Sequence, residues 1–128
     1  MCGIVGWVSE RRDDFDSEAV LEAMTRSLAH RGPDGSGMWS GEGVHLGHRR
    51  LAIIDPSDAG AQPMTRDVMT VVTCGEVYNY KWLRGRLQRA RRTFSSRSDT
   101  EVVAQGVAEW GVAGFLERAD GMFAFAAW

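Results

Sequence analysis

The first third of the chain alternates apolar runs with one clear helical pattern. Residues 3–8, GIVGWV, form a short β-prone run. In residues 16–30, an acidic start precedes apolar positions that share one helical face: Val20, Leu21, Met24 and Leu28. The stretches MWS and VHLGHRRLAII then flank a GEG turn, which predicts two strands joined as a hairpin. These patterns predict a strand, a helix and a hairpin in that order.

Strand and helix patterns continue to alternate in the second half of the chain. Residues 68–74, VMTVVTC, predict a strand, and residues 80–91 predict a helix because Leu83 and Leu87 are four positions apart. The apolar run of residues 121–128, GMFAFAAW, predicts a further strand. Because an open strand edge invites association, we expect either more strands after this run or a partner that completes the sheet.

A helix start is visible in the stretch Ser-Asp-Thr-Glu, which has the form of a capping box. In that motif Ser98 and Glu101 would each bind a free backbone N–H group at the start of a helix that continues through Trp110. Asp99 would then lie in the first turn, near the positive end of the helix dipole.

The composition is that of one ordinary globular domain: 128 residues, of which 44% are apolar and 25% charged. No apolar run approaches the ~18 residues that cross a bilayer, and no signal-peptide pattern opens the chain. We therefore expect a cytoplasmic protein with no membrane attachment. Two cysteines in a chain of this size give no disulfide framework.

The formal net charge of −2 says little about partners, although five arginines crowd into nine residues: Arg84, Arg86, Arg89, Arg91 and Arg92. We interpret them as a solvated helix face, because no base-reading motif accompanies them and nucleic acid is not an expected partner. Four possible metal ligands lack the close spacing of a zinc site: Cys2, His30, His48 and Cys74. No metal is expected.

The opening MCGIVGW places a thiol directly after the first methionine. Cys2 could belong to a frayed chain end, where most termini are poorly ordered. It could instead follow removal of Met1 and carry a free α-amino group, whose reference pKa is ~7.7–8.0. One residue would then provide both a nucleophile and a base for acyl transfer.

Seven stretches occur in the order and spacing of one family: MCGIVGW, HRGPDGSG, GHRRLAIID, GAQPM, GEVYN, RSDTEV and GMFAFAAW. Over residues 1–128 the chain resembles the N-terminal glutaminase domain of class II glutamine amidotransferases, most closely that of asparagine synthetases. The resemblance implies an α+β fold of the N-terminal nucleophile hydrolase type, an αββα sandwich with two mostly antiparallel sheets between helices. The family domain continues for several strands beyond Trp128, so the resemblance implies a fold that is incomplete at the C-terminus.

The same resemblance implies hydrolysis of the glutamine side-chain amide by Cys2, through a thioester and without a cofactor. Released ammonia would serve a second active site, and a homo-oligomer or a synthetase partner would complete the sheet. Arg50 matches the family's clamp on the glutamine α-carboxylate, a task that suits a planar bidentate donor. Asp99 matches the acid that holds the α-ammonium group, and Glu76 matches a neighbouring acceptor. Gly75 matches the backbone donor to the oxyanion.

One position departs from the family pattern: Cys74 stands where an oxyanion-binding asparagine is expected. A thiol is a weaker donor than an amide. Cys74 could be a packing residue, a change that weakens ammonia release, or a sign that the pocket takes another amide or acyl substrate. In the last case Cys2 and Cys74 could interact through redox chemistry. Two functions therefore remain: a glutaminase, or a noncatalytic or repurposed domain that binds or processes another amide or acyl substrate with a partner.

Overall fold

The computed structural model describes residues 1–10 and 14–128. Within them it contains six strands and three helices, together with a short 3₁₀ turn at Asp58–Gly60. In chain order these are β1 Gly3–Val8, α1 Ser17–Ser27, β2 Gly35–Gly41, β3 Val44–Arg50, β4 Met64–Arg66, β5 Met69–Val77, α2 Tyr80–Arg89, α3 Asp99–Leu116 and β6 Gly121–Ala127.

The strands form two antiparallel sheets of three, ordered β1-β3-β2 and β4-β5-β6. Helix α1 packs on the first sheet and α3 packs on the second, with α2 against α3. Strands β1 and β3 contact β5 across the gap between the sheets. The layers therefore run helix, sheet, sheet, helix, which confirms the predicted α+β class and the αββα arrangement.

The apolar core occupies two of these layer boundaries. Val44, Leu46 and Val72 are buried between the sheets. A larger cluster lies between the second sheet and its helices, and it comprises Val77, Leu83, Leu87, Val102, Val103, Val107 and Phe115. Leu83 and Leu87 are both fully buried, as their spacing in the sequence predicts. Burial of side chains of this size contributes about 1.5–3 kcal/mol each, and it fixes α3 against β5.

Helix α1 follows its predicted pattern except at one position. Asp16 is the N-cap, and its side chain accepts a hydrogen bond from the Ala19 N–H group. Leu21 is buried on the predicted face, whereas Val20 is exposed. The prediction for Val20 was wrong because it lies one position from Leu21, and a 3.6-residue turn rotates adjacent side chains well apart.

Half of the predicted capping box is present at α3. Ser98 is the N-cap and accepts a hydrogen bond from the Thr100 N–H group. Glu101 does not return the bond to Ser98, whose N–H group donates to the Ser96 hydroxyl instead. The reciprocal half of the prediction was wrong, because Ser95, Ser96 and Arg66 all donate to the Glu101 carboxylate: Arg66 Nε lies 2.6 Å away.

Other predicted elements need smaller corrections. Strand β3 ends at Arg50, whereas the hairpin pattern extended to residue 54. The arginine group is only partly a solvated face, because Arg84 donates to the carbonyls of Ser96 and Ser98 and stacks over Phe94. Arg92 forms ion pairs with acidic side chains of the neighbouring segments.

Strand β6 is the predicted C-terminal strand. It pairs with β5 alone within the part of the chain that the structure describes. None of the described helices combines the length and hydropathy that a membrane span requires.

Candidate active site

A cavity of about 300 Å³ lies where four segments meet. Its lining includes Cys2 from before β1, Arg50 from the end of β3, Gly75 and Glu76 from β5, and Asp99 from the start of α3. These are five of the six residues predicted to form the site. The sixth, Cys74, lies outside the described lining and faces the main chain of Cys2.

Cys2 is fixed at the cavity wall through both its sulfur and its carbonyl group. The Leu51 N–H group donates to Cys2 Sγ at 3.3 Å, and the sulfur lies 3.6 Å from the Leu51 carbonyl oxygen. The Cys2 carbonyl oxygen accepts a hydrogen bond from Arg31 Nε at 3.1 Å. These contacts tie residue 2 to segments 29 and 49 positions away, which excludes the frayed-end interpretation.

The guanidinium group of Arg50 is held at the cavity wall by a neighbouring main-chain oxygen. Arg50 Nη2 donates to the main-chain oxygen of Asp55. The Asp55 carboxylate in turn accepts bonds from the Ser57 hydroxyl and N–H groups and from the Arg97 N–H group, and these donors lower the pKa of Asp55. A Cβ atom on Gly60 would fall 2.5 Å from Arg50 Nη2, so glycine leaves room for the guanidinium group.

Asp99 and Glu76 add negative charge to the cavity beside that of Asp55. The Val77 N–H group donates to Asp99 Oδ2 at 3.0 Å. Burial raises the pKa of Asp99 above its ordinary value, against the opposing effect of the N–H groups of Val77 and Thr100; the charge of Glu76 also raises it. With Arg50, the cavity carries both signs of charge, as an amino-acid head group requires.

Gly75 occupies a backbone conformation that a side chain would not tolerate. Its φ angle is +111°, which L-residues rarely adopt. A Cβ atom at this position would collide with the main chain of Met122 in β6. Glycine is therefore required where β5 passes the cavity.

Cys74 has polar partners. Its Sγ donates to the Cys2 carbonyl oxygen at 2.8 Å, and Arg31 Nη2 lies 3.8 Å from the sulfur. Arg31 therefore contacts both cysteines. Local sequence does not predict this role of Arg31, because its contacts join residues that are 29 and 43 positions apart.

A buried polar network at the cavity wall was also missed. Gln62 Nε2 donates to Thr100 Oγ1 at 2.9 Å, while the Thr73 N–H group donates to Gln62 Oε1 at 2.6 Å. The two threonine hydroxyl groups are 2.9 Å apart. The network ties the loop before β4 to β5 and to the start of α3. The motif GAQPM contained Gln62, but nothing local to it indicates these partners.

Most of the exposed cavity lining is apolar. Met1, Ile53, Tyr78 and Met122 belong to it, and each has more than half of its surface exposed. Glu76 is also exposed, so this part of the lining carries one carboxylate.

His48 lies in β3 two positions before Arg50 and is 1% exposed. Neither ring nitrogen has a hydrogen-bond partner among the described residues. Burial lowers the pKa of His48 from 6.5 to about 4, and the charge of Arg50 adds to this shift. The main chain of Thr73 acts in the opposite direction, although its contact with the ring lacks the geometry of a hydrogen bond. The imidazole is therefore neutral at physiological pH.

No group of three or more His, Cys, Asp or Glu side chains in residues 1–10 and 14–128 is arranged to hold a metal ion. The chemistry available at this cavity is that of a thiol, a guanidinium group, three carboxylates and main-chain donors. This set suits nucleophilic attack on an amide or acyl group whose carrier has an amino-acid head group.

Comparison with known proteins agrees with this geometry. A family model described as "Glutamine amidotransferase domain" matches residues 1–128. Asparagine synthetase [glutamine-hydrolyzing] 3 of Bacillus subtilis is 38% identical over all of this chain. Asparagine synthetase [glutamine-hydrolyzing] 1 of Arabidopsis thaliana and the asparagine synthetase [glutamine-hydrolyzing] of Zea mays are each 39% identical over 98% of it. The chain spans 21% of the length of these curated relatives.

Proposed function

The chain belongs to the class II glutamine amidotransferase family, and on this premise we propose that residues 1–128 form a glutaminase domain. The proposed reaction is hydrolysis of the glutamine side-chain amide to glutamate and ammonia. One observation carries the proposal: Cys2, Arg50 and Asp99 line the same cavity. A thiol, a carboxylate clamp and an ammonium acceptor are the groups that such a substrate needs.

The proposed substrate pose follows from the charges. Arg50 binds the α-carboxylate of glutamine, and its contact with the Asp55 oxygen orients the guanidinium group. Asp99 and Glu76 bind the α-ammonium group. The side-chain amide then extends towards Cys2, which Leu51 holds at the wall.

The proposed chemistry is covalent catalysis. Loss of Met1 frees the α-amino group of Cys2, which takes the thiol proton as the sulfur attacks the amide carbon. The C–N bond breaks, the proton goes to the leaving ammonia, and water opens the thioester to give glutamate. If Met1 stays, the nitrogen is an amide and this base is absent.

Cys74 bears on the rate of this reaction. The negative oxygen of the intermediate needs donors, and Gly75 is proposed to supply its N–H group. Cys74 supplies only a thiol, which is a weak donor and which already binds the Cys2 carbonyl oxygen. Removal of one oxyanion donor costs about 100- to 1000-fold in turnover in a serine protease. We therefore expect slow hydrolysis.

The ammonia would be consumed at a second site that this chain does not contain. The names of these relatives join glutamine hydrolysis to asparagine synthesis. A synthetase domain or partner is the proposed acceptor, and we propose that ammonia leaves past Ile53, Tyr78 and Met122, the exposed lining residues that remain after loss of Met1.

A noncatalytic domain is the second candidate, and the contact between Cys74 and Cys2 favours it. Such a domain would bind glutamine through Arg50 and Asp99 without hydrolysing it. Calorimetric binding of glutamine by a protein with no turnover would identify this case.

The test is glutamate formation from glutamine, with the state of the N-terminus recorded by mass spectrometry on the same sample. We expect turnover from protein that has lost Met1, none from protein that retains it, and none from Cys2→Ala. Equal turnover with Met1 present or absent would contradict the proposed base. Turnover in Cys2→Ala would contradict the proposed nucleophile.

A further inference from the structure

The two cysteines of this chain lie against one another through the main chain of residue 2. Cys74 Sγ is 2.8 Å from the carbonyl oxygen of Cys2. Both cysteines are free and half-buried. Cys2 Sγ contacts the main chain of Leu51, so a sulfur–sulfur bond requires the Cys2 side chain to leave Leu51 and turn towards Cys74.

Arg31 adds a second feature to this pair. Its Nη2 lies 3.8 Å from Cys74 Sγ, and its Nε donates to the Cys2 carbonyl oxygen at 3.1 Å. The Arg31 guanidinium group therefore places positive charge beside the Cys74 sulfur and also binds the main chain of Cys2. A cationic neighbour and partial exposure are features of reactive thiols.

We propose that Cys2 and Cys74 are an oxidative modification site, at which a peroxide generates a reversible disulfide. The Cys2 thiolate attacks hydrogen peroxide, the O–O bond breaks, and Cys2 becomes a sulfenic acid as hydroxide leaves. The Cys74 thiolate then attacks that sulfur, the S–S bond forms, and hydroxide leaves again. Overall two thiols lose two electrons and two protons, and one peroxide becomes two waters.

The consequence for activity rests on the proposed function. A disulfide removes the Cys2 nucleophile from the cavity, so glutamine hydrolysis stops until a dithiol reduces the bond. A cysteine at position 74 would then stabilise the oxyanion less than an asparagine does, but it would protect Cys2 from irreversible oxidation. Without Cys74, the Cys2 sulfenic acid would be open to further oxidation to sulfinic acid, which thiols do not reverse.

The test treats the reduced, full chain with a small excess of hydrogen peroxide and then blocks remaining thiols with an alkylating agent. We expect the intact mass to fall by two hydrogen atoms with no alkyl group added, and a peptide map to join residues 2 and 74. Dithiothreitol should restore two alkylatable thiols. In Cys74→Ser, dimedone should trap a sulfenic acid on Cys2, and sulfinic acid should accumulate.

Arg31 provides the mechanistic control. Arg31→Gln should slow disulfide formation by about tenfold, because the positive charge beside Cys74 assists the attack of the Cys74 thiolate on the Cys2 sulfenic acid. Arg31→Lys should restore most of the rate. Arg26→Gln is the matched control, since Arg26 is exposed on α1 and pairs only with Glu22 among the described contacts. Its disulfide should form at the original rate.

Two results would overturn the proposal: sulfinic acid on Cys2 while Cys74 stays alkylatable, or disulfides only between separate chains on a non-reducing gel. The mass measurement requires neither glutamine nor loss of Met1. A disulfide in a protein without glutaminase activity would therefore reject the proposed function alone. Turnover that persists after peroxide treatment, with no disulfide formed, would reject the redox proposal alone.

Discussion

Cys74 stands where the resemblance to the family predicts an oxyanion-binding asparagine, and its position makes this interpretation testable. It immediately precedes Gly75, and its thiol binds the Cys2 carbonyl oxygen instead of pointing into the described cavity. Replacement by asparagine, Cys74→Asn, should raise glutamate formation by about 100-fold, because an amide is the stronger donor to the oxyanion. Steady-state turnover measures this change.

Cys74→Ser is the matched control for Cys74→Asn, because it removes the sulfur without adding an amide. We expect it to change turnover much less than the asparagine variant. A flat response to asparagine, in a protein that hydrolyses glutamine, would contradict the oxyanion role of this position.

We expect Asp99 to make the binding of glutamine dependent on pH. Burial raises its pKa above the ordinary 3.8, so it gains a proton at a higher pH than an exposed aspartate would. A protonated Asp99 no longer attracts the α-ammonium group. The KM for glutamine should therefore rise as pH falls, starting above the range of an ordinary aspartate. Steady-state kinetics across mildly acidic pH measures it.

Asp99→Asn should raise the KM for glutamine by about 10- to 100-fold, as expected for loss of a charge-assisted bond. It should also remove most of the acidic rise. A KM that keeps its full pH dependence in this variant would assign the titration to another group.

At the scale of single elements, the start of α3 depends on a buried carboxylate. Burial alone would raise the pKa of Glu101, but hydrogen bonds from Ser96 and Arg66 and from the Ser95 N–H group outweigh it and lower the pKa to about 2. Glu101→Gln should destabilise the protein by about 1.5–3 kcal/mol, the usual worth of a hydrogen bond to a charged group, because Arg66 loses its anionic partner. Denaturant unfolding measures the free energy.

Glu22→Gln is the control for the Glu101 prediction. Glu22 forms an exposed pair with Arg26, four residues along α1, and its loss should cost no more than about 0.5 kcal/mol. Equal effects of the two variants would contradict a structural role for the buried pair.

The elements also show which features of the fold local sequence can predict. The N-cap Ser98 and the leucine spacing of α2 were predictable, because each depends on residues within one or two turns. The partners of Glu101 were not, since Arg66 is 35 positions away. Arg31 and Gln62 were missed for the same reason: their bonds cross between elements, and no pattern in one segment encodes them.

On the scale of the whole molecule, the order of the motifs predicted the site, which local sequence patterns did not predict. Five residues from four separate segments line one cavity, and only the resemblance of seven stretches to one family predicted that they would meet. Apolar patterns predicted five of the six described strands, all but β4, and the helices α1 and α2, whereas α3 was predicted from its capping box. It carried no information on how the two sheets face each other, or on His48, which is buried without a hydrogen-bond partner in the described structure.

His48 should make global stability depend on pH. Its pKa is 6.5 in the unfolded chain and about 4 in the folded protein. Between these values the unfolded chain binds a proton and the folded protein does not, so the free energy of unfolding falls as pH falls. The loss attributable to His48 is roughly 3 kcal/mol, at ~1.4 kcal/mol for each tenfold change in the equilibrium constant.

Denaturant unfolding from pH 7 to pH 4 measures this dependence. His48→Gln should remove that part of the slope, whereas His30→Gln, at an exposed position, should retain it. An unchanged slope in His48→Gln would show that the buried imidazole does not titrate as described.

The central claim is that Cys2, Arg50 and Asp99 act on one glutamine molecule. The most direct measurement is the site and rate of covalent labelling by a glutamine-like electrophile, followed by peptide mass spectrometry. We predict that Cys2 is labelled, that glutamine protects it, and that Arg50→Gln slows the labelling at least tenfold. Labelling confined to Cys74, or a rate that neither glutamine nor the loss of Arg50 changes, would contradict the account.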